Sequence, residues 1–144
     1  MSMEEHYQKL INMYYGARTN EYYRPELAIR KGAATLKIPV REDFFHAGGA
    51  VHGSVYFKAA DDAAWFAANS LIKGVFVLTA SFHLHLLRPI TRGVIRAEGR
   101  VVQYSPTLIA AESILYNDKN KEVGRGSGTF ARSKQALTPD IGYK

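Results

Sequence analysis

A chain of 144 residues, 47% hydrophobic and 22% charged, has ordinary globular composition and is long enough for one domain with a buried core. It has no cysteine, which excludes disulfides and cysteine-ligated metals, and no apolar run near the roughly 20 residues that span a bilayer as a helix. The formal net charge is +6, but the arginines are scattered and no lysine- or arginine-rich run occurs; the charge suits a phosphate-bearing small molecule, and nucleic acid is not an expected partner.

The first predicted element is a helix over 3–15, where Tyr7, Leu10, Ile11 and Tyr14 share a face and Gly16 follows. The opening MSMEEHYQKLINMYY is acidic and amphipathic, unlike a secretory signal, so a cytoplasmic protein without membrane attachment is the expectation. Residues 17–32, with Pro25 and several tyrosines, read as irregular. Over 33–41 Leu36, Ile38 and Val40 alternate with Thr35, Lys37 and Pro39, which predicts a strand with Pro39 at a sheet edge or at the strand's end. A glycine-rich loop follows, then a helix over about 53–70.

After Gly74 the period changes to two. Phe76, Leu78, Ala80, Phe82, Leu84 and Leu86 form a strongly apolar face; Val75, Val77, Thr79, Ser81, His83 and His85 form the other, which points Thr79 away from the face expected under the helix. A turn over 88–93 leads to strands over 94–104 and 107–116, broken by Ser105 and Pro106. After a turn at 118–121, the last strand runs over 122–132, with Gly124, Gly126 and Gly128 where close approach is tolerated. The tail from Ser133 reads as loosely held. The sum is one α+β domain over 1–144 with its core at about 33–132: a meander of antiparallel strands under one long helix.

That helix carries adjacent acids. At about 100° per residue, Tyr56, Phe57, Ala59, Ala60, Ala63, Ala64 and Ala67 make a broad apolar arc, with Lys58, Asp62 and Asn69 opposite. Asp62 reads as a solvated acid paired with Lys58 one turn back. Asp61 falls at the border of the arc, beside Phe57, Trp65 and Ala68, where desolvation would raise its pKa and suit it to act as a base or nucleophile. Gly48, Gly49 and Gly53 precede the helix, and the unpaired N–H groups of its first turn can stabilise a developing oxyanion. Gly53 and Asp61 are about 12 Å apart along the helix, so both can serve one carbonyl only from two copies of the chain related by a two-fold axis. His83 and His85 have a spacing metal sites use, but no third ligand follows and no metal is expected. There is no G-x-S-x-G elbow.

The stretch GGAVHGSVYFKAADDAAWFAA resembles the helix-start motif of hotdog-fold acyl-CoA thioesterases of the PaaI and 4-hydroxybenzoyl-CoA branch: G-x-x-H-G-G, then an acid nine residues after the histidine. Counting from His52, that acid is Asp61. The resemblance extends over about 33–132. It implies a hotdog fold, with a long central helix on an antiparallel sheet, that hydrolyses the thioester of an acyl-CoA; coenzyme A is then part of the substrate and no separate cofactor is expected. It also implies a homodimer with shared sites, often assembled into a homotetramer as a dimer of dimers. Asp61 would be the general base or the nucleophile, Gly53 would offer its N–H to the thioester carbonyl, His52 would shape the turn, and Thr79 stands where relatives carry a hydroxyl that helps place water. Two positions depart from the pattern: His46 stands where relatives commonly show Asn or Gln, and Ser54 replaces the second motif glycine. His46 is expected to contact the carbonyl or the water. Phe57, Trp65 and Phe76 suit an aromatic or short-to-medium aliphatic acyl group, and Arg88, Arg92, Arg125, Arg132 and Lys134 are candidates for the CoA phosphates. A non-catalytic acyl-CoA-binding module and a hotdog hydratase or dehydratase are the alternatives; HGSVYFKAAD fits the thioesterase pattern better.

Overall fold

A computed structural model covers residues 1–144. In chain order it contains α1 (Met3–Gly16), α2 (Thr19–Tyr23), β1 (Glu26–Arg30), β2 (Ala33–Pro39), a 3-10 turn (Glu42–Phe44), α3 (Gly53–Asn69), β3 (Val75–Leu86), β4 (Val94–Tyr104), β5 (Leu108–Tyr116), β6 (Glu122–Ala136) and a second 3-10 turn (Pro139–Ile141). All neighbouring strands are antiparallel, in the order β1-β2-β4-β5-β6-β3. No helix is long and apolar enough to cross a membrane.

The alanines of α3 decide how the layers meet. Ala59, Ala60, Ala63, Ala64 and Ala67 have no exposed surface. Opposite them, β4 carries Gly99, where an added Cβ would lie 2.4 Å from the Ala63 carbonyl oxygen. Helix and sheet backbones therefore touch, and Ser113 of β5 donates to Ala60 O at 2.6 Å across that contact. On β6, Gly126 and Gly128 leave room for the Phe82 ring, which an added Cβ at either would meet within 2.8 Å.

Several expectations are corrected. The stretch read as irregular holds α2 and β1. That strand is only five residues long, follows Pro25, and buries Leu27 alone, too little alternation to stand out. The four later strands are not a simple meander: β2 takes the place beside β4, so β3 pairs with β6 at the far edge. The tail is not loose. Strand β6 continues to Ala136 because β3 pairs with it from Gly124 to that residue. Beyond it Tyr143 is buried, its hydroxyl 2.8 Å from Nδ1 of the buried His6, whose Nε2 meets Asn69 O at 2.8 Å.

The polar side of α3 is not solvated either. Helix α1 lies over it, with the Tyr14 ring edge-on to Phe66 at 4.8 Å. Asn69 is fully buried; it donates to Ile72 O at 2.9 Å and accepts from Val77 N at 3.0 Å, fastening the end of α3 to β3.

Candidate active site

Helix α3 faces β3 at Asp61. Thr79 Oγ1 donates to Asp61 Oδ1 at 2.9 Å. Thr79 was expected to point away from the helix. It does not, because β3 is bulged between Thr79 and Ser81, where two steps along β3 meet one along β6. The irregularity between Val75 and Val77 puts its extra residues on β6 and leaves the faces of β3 unchanged; the bulge between Thr79 and Ser81 adds one residue to β3, so Val77 and Thr79 lie toward the helix before it and Phe82 and Leu84 turn inward after it.

Desolvation raises the Asp61 carboxyl from its ordinary value to about 6; the Thr79 hydroxyl partly offsets this, the neighbouring Asp62 adds to it, and Lys58 opposes it. Asp61 lies on the wall of a cavity of about 340 Å³, with Thr79, Trp65, Phe66, Phe76 and Tyr14 among its other walls. Trp65 is fixed there by Nε1 donating to Val77 O at 2.8 Å. Phe57 is placed elsewhere, 41% exposed and edge-on to Phe82 at 5.5 Å.

Asp62 accepts from the Tyr14 hydroxyl at 2.5 Å and pairs with Lys58 at 2.8 Å. The ion pair was expected; its cover was not. Asp62 and Lys58 side chains are each only 17% exposed, and the ammonium lies 5.2 Å from the ring centres of both Tyr14 and Tyr23. Tyr14 is a neighbour of the candidate site that no motif in the sequence marks. Its signal was present only indirectly, as the end of an amphipathic face that needs something to cover.

The start of α3 forms a second environment. His52 caps the helix, its Nδ1 accepting from Ser54 N at 3.0 Å, with the Ser54 hydroxyl 2.8 Å from the same nitrogen. The Gly53 N–H has no hydrogen-bond partner within the chain. A cavity of about 530 Å³ opens there, walled by His46, His52, Gly53, Tyr56, Leu86 and Arg88. His46 Nδ1 accepts from Gly48 N at 2.9 Å, so the neutral ring carries its proton on Nε2.

Within one chain, Gly53 and Asp61 thus border different cavities. The arginines are also divided. Arg88 donates to Glu122 O at 3.0 Å, and Arg125 grips the Glu122 carboxylate at 2.9 and 2.7 Å. Arg132 sits toward the other end of β6, bound to Pro106 O and Tyr104. One chain does not gather these three into one phosphate site. The His83 and His85 rings lie 4.7 Å apart, and no group of three or more metal-ligating side chains forms with them.

Residues 48–124, spanning the loop, α3 and the strands that follow, match the family described as the thioesterase superfamily. The chain belongs to the thioesterase superfamily. It is a hotdog-fold thioester hydrolase. The E. coli PaaI protein from the phenylacetic acid degradation operon superposes with a TM-score of 0.85 at 20% identity, over 94% of this chain and 98% of that one. A Haemophilus influenzae thioesterase superposes at 0.77 with 17% identity, over 84% and 86% of the two chains. In sequence, a provisionally named esterase of Saccharolobus solfataricus is 29% identical over 109 residues, 74% of this chain and 77% of that protein.

Proposed function

We propose that the protein hydrolyses acyl-CoA thioesters carrying an aromatic or short-to-medium acyl group, with Asp61 as general base. The observation that carries this reading is the Asp61 carboxylate, raised to about 6 and held by Thr79 on the wall of a mostly apolar cavity. A base is most useful when its pKa lies near working pH, and a carboxylate reaches that range when it is desolvated or crowded by a like charge.

The acyl group occupies the cavity walled by Trp65 and Phe76. Asp61 takes a proton from a water as its oxygen attacks the thioester carbon. The carbonyl oxygen becomes an oxyanion and accepts from the Gly53 N–H at the start of the partner helix, where the helix dipole favours negative charge. His46 Nε2–H donates beside it. Collapse of the adduct breaks the carbon–sulfur bond, and the leaving thiolate takes the proton back from Asp61, releasing the free acid and CoA.

Two chains contribute to each site in this mechanism. The support is the separation of Gly53 from Asp61 along α3, together with an unpartnered twelve-residue edge strand, β3, that leaves Leu78 and Leu86 half exposed. An edge that long and that apolar needs a partner. A second β3 pairs with it and sets the two helices antiparallel; the resemblance adds pairing of such dimers into tetramers.

The test is thiol release from a panel of acyl-CoAs, benzoyl-CoA and hexanoyl-CoA among them. Asp61→Asn is expected to lower kcat by about 10²-fold or more, with KM little changed. Near-full activity in this variant, or its loss in Asp62→Asn instead, would overturn the assignment.

A further inference from the structure

We propose that Tyr14, Asp62 and Lys58 form a positioning network that sets the charge environment in which Asp61 works, so that the N-terminal helix is a functional part of the site. The inference rests on the reading of Asp61 as the base.

Adjacent residues on a helix do not face each other, yet Asp61 and Asp62 border the same cavity, and so do Lys58 and Tyr14. A surface ion pair contributes little and needs no shelter. Here the pair is covered by two aromatic rings and receives a hydroxyl at 2.5 Å. Burial and the neighbouring Asp62 push the Tyr14 hydroxyl far up, so it remains a donor across the working range. The groups facing the two acids are Lys58 on α3 itself, Tyr14 of α1, Tyr23 of α2 through the Lys58 ammonium, and the neutral Thr79 hydroxyl of β3.

The charge count explains the arrangement. With Lys58 and Asp62 both ionised they cancel, and ionising Asp61 adds a single net negative charge to the cavity. Without Lys58 the same step would place two uncompensated carboxylates on one wall. Without Asp62 the Lys58 charge would favour the Asp61 anion and weaken it as a base. Tyr14 shares the Asp62 charge and keeps that carboxylate turned toward Lys58. It lies outside the segment that matches the superfamily, which begins at residue 48.

The network predicts shifts of opposite sign. The acid limb of kcat/KM against pH, read with benzoyl-CoA, should move up by about 0.5 to 1 unit in Lys58→Met and down by a similar amount in Asp62→Asn. Tyr14→Phe should move it up by less, and should add nothing in the Asp62→Asn background. Lys58→Arg, which keeps the charge, should leave it near the wild-type position. The Asp61 side-chain carboxyl, followed directly by carbon NMR in aspartate-labelled protein, should titrate in parallel. Unmoved titration in Lys58→Met and Asp62→Asn, or shifts of the same sign, would overturn the network, even with Asp61→Asn inactive. If Asp61→Asn stays active while the NMR shifts appear as described, the network stands and the assignment of Asp61 as base fails.

Discussion

Thr79 reaches Asp61 with a 2.9 Å hydrogen bond from a face of β3 that passes to Phe82 and Leu84 beyond the bulge between Thr79 and Ser81. That bond stabilises the charged carboxyl and opposes the desolvation that raises it. Thr79→Val keeps the shape and removes the donor. The Asp61 carboxyl should then rise further, and the acid limb of the pH–rate profile should move up with it. Activity is expected to fall about 3- to 10-fold at pH 6 and less at pH 8, as measured by thiol release at both. An equal loss at every pH would mean that Thr79 acts on the water or substrate and not through Asp61.

Sharing of the site between subunits has a direct test. Gly53 is the first residue of α3, where proline is tolerated, and Gly53→Pro removes the N–H while keeping the helix start. The Leu86 side chain must yield, since an added Cβ would meet its Cδ1 at 2.9 Å. Gly53→Pro and Asp61→Asn should each be inactive alone. Mixed dimers should regain about half the wild-type rate, because one of their two sites then has both intact groups. No recovery in heterodimers purified with two different tags would place both groups in one chain.

The raised Asp61 carboxyl also bears on stability. A native carboxyl near 6 against an ordinary value of 3.8 binds its proton more tightly in the folded chain than in the unfolded one. Its contribution is fully present below about pH 4 and is lost as pH rises through about 6. Asp61→Asn, which carries no charge, should therefore be about as stable as the wild type at pH 4 and more stable at pH 8. Two units correspond to about 3 kcal/mol, and partial solvation reduces this to about 1–2 kcal/mol. Urea unfolding at the two pH values measures it.

Gly99→Ala should cost about 3 kcal/mol or more, because the new Cβ falls on the backbone of Ala63, which has no rotamer to yield. Chemical denaturation of the two proteins compares them. A change below about 1 kcal/mol would mean that the helix rides off the sheet without penalty.

Much of this site was legible in one dimension. Helical periodicity separates Asp61 from Asp62 because one turn of a helix has a definite angle per residue, and the nine-residue spacing from His52 points to the same acid. Periodicity describes the faces of one element; it says nothing of what another element lays over them. So Asp62 reads as solvated and Asn69 as part of a polar side, while α1 covers the first and the second is buried at the end of α3. Alternation likewise assumes an unbroken strand, and the bulge of β3 reverses its faces without any glycine or proline at Thr79–Ser81 to announce it. The place of β3 at the sheet's far edge depends on β2 having occupied the slot beside β4, a competition between distant segments.

That placement has a kinetic consequence. Strands β4, β5 and β6 follow one another through short turns and pair locally, whereas Thr79 must wait for Phe130, its register partner, to be made and folded into place. Closing so long a loop is entropically slow. The hairpins are expected to form first and the α3–β3 unit to dock on them late. A nascent chain would therefore carry both acids of α3 well before it had the wall that makes one of them reactive.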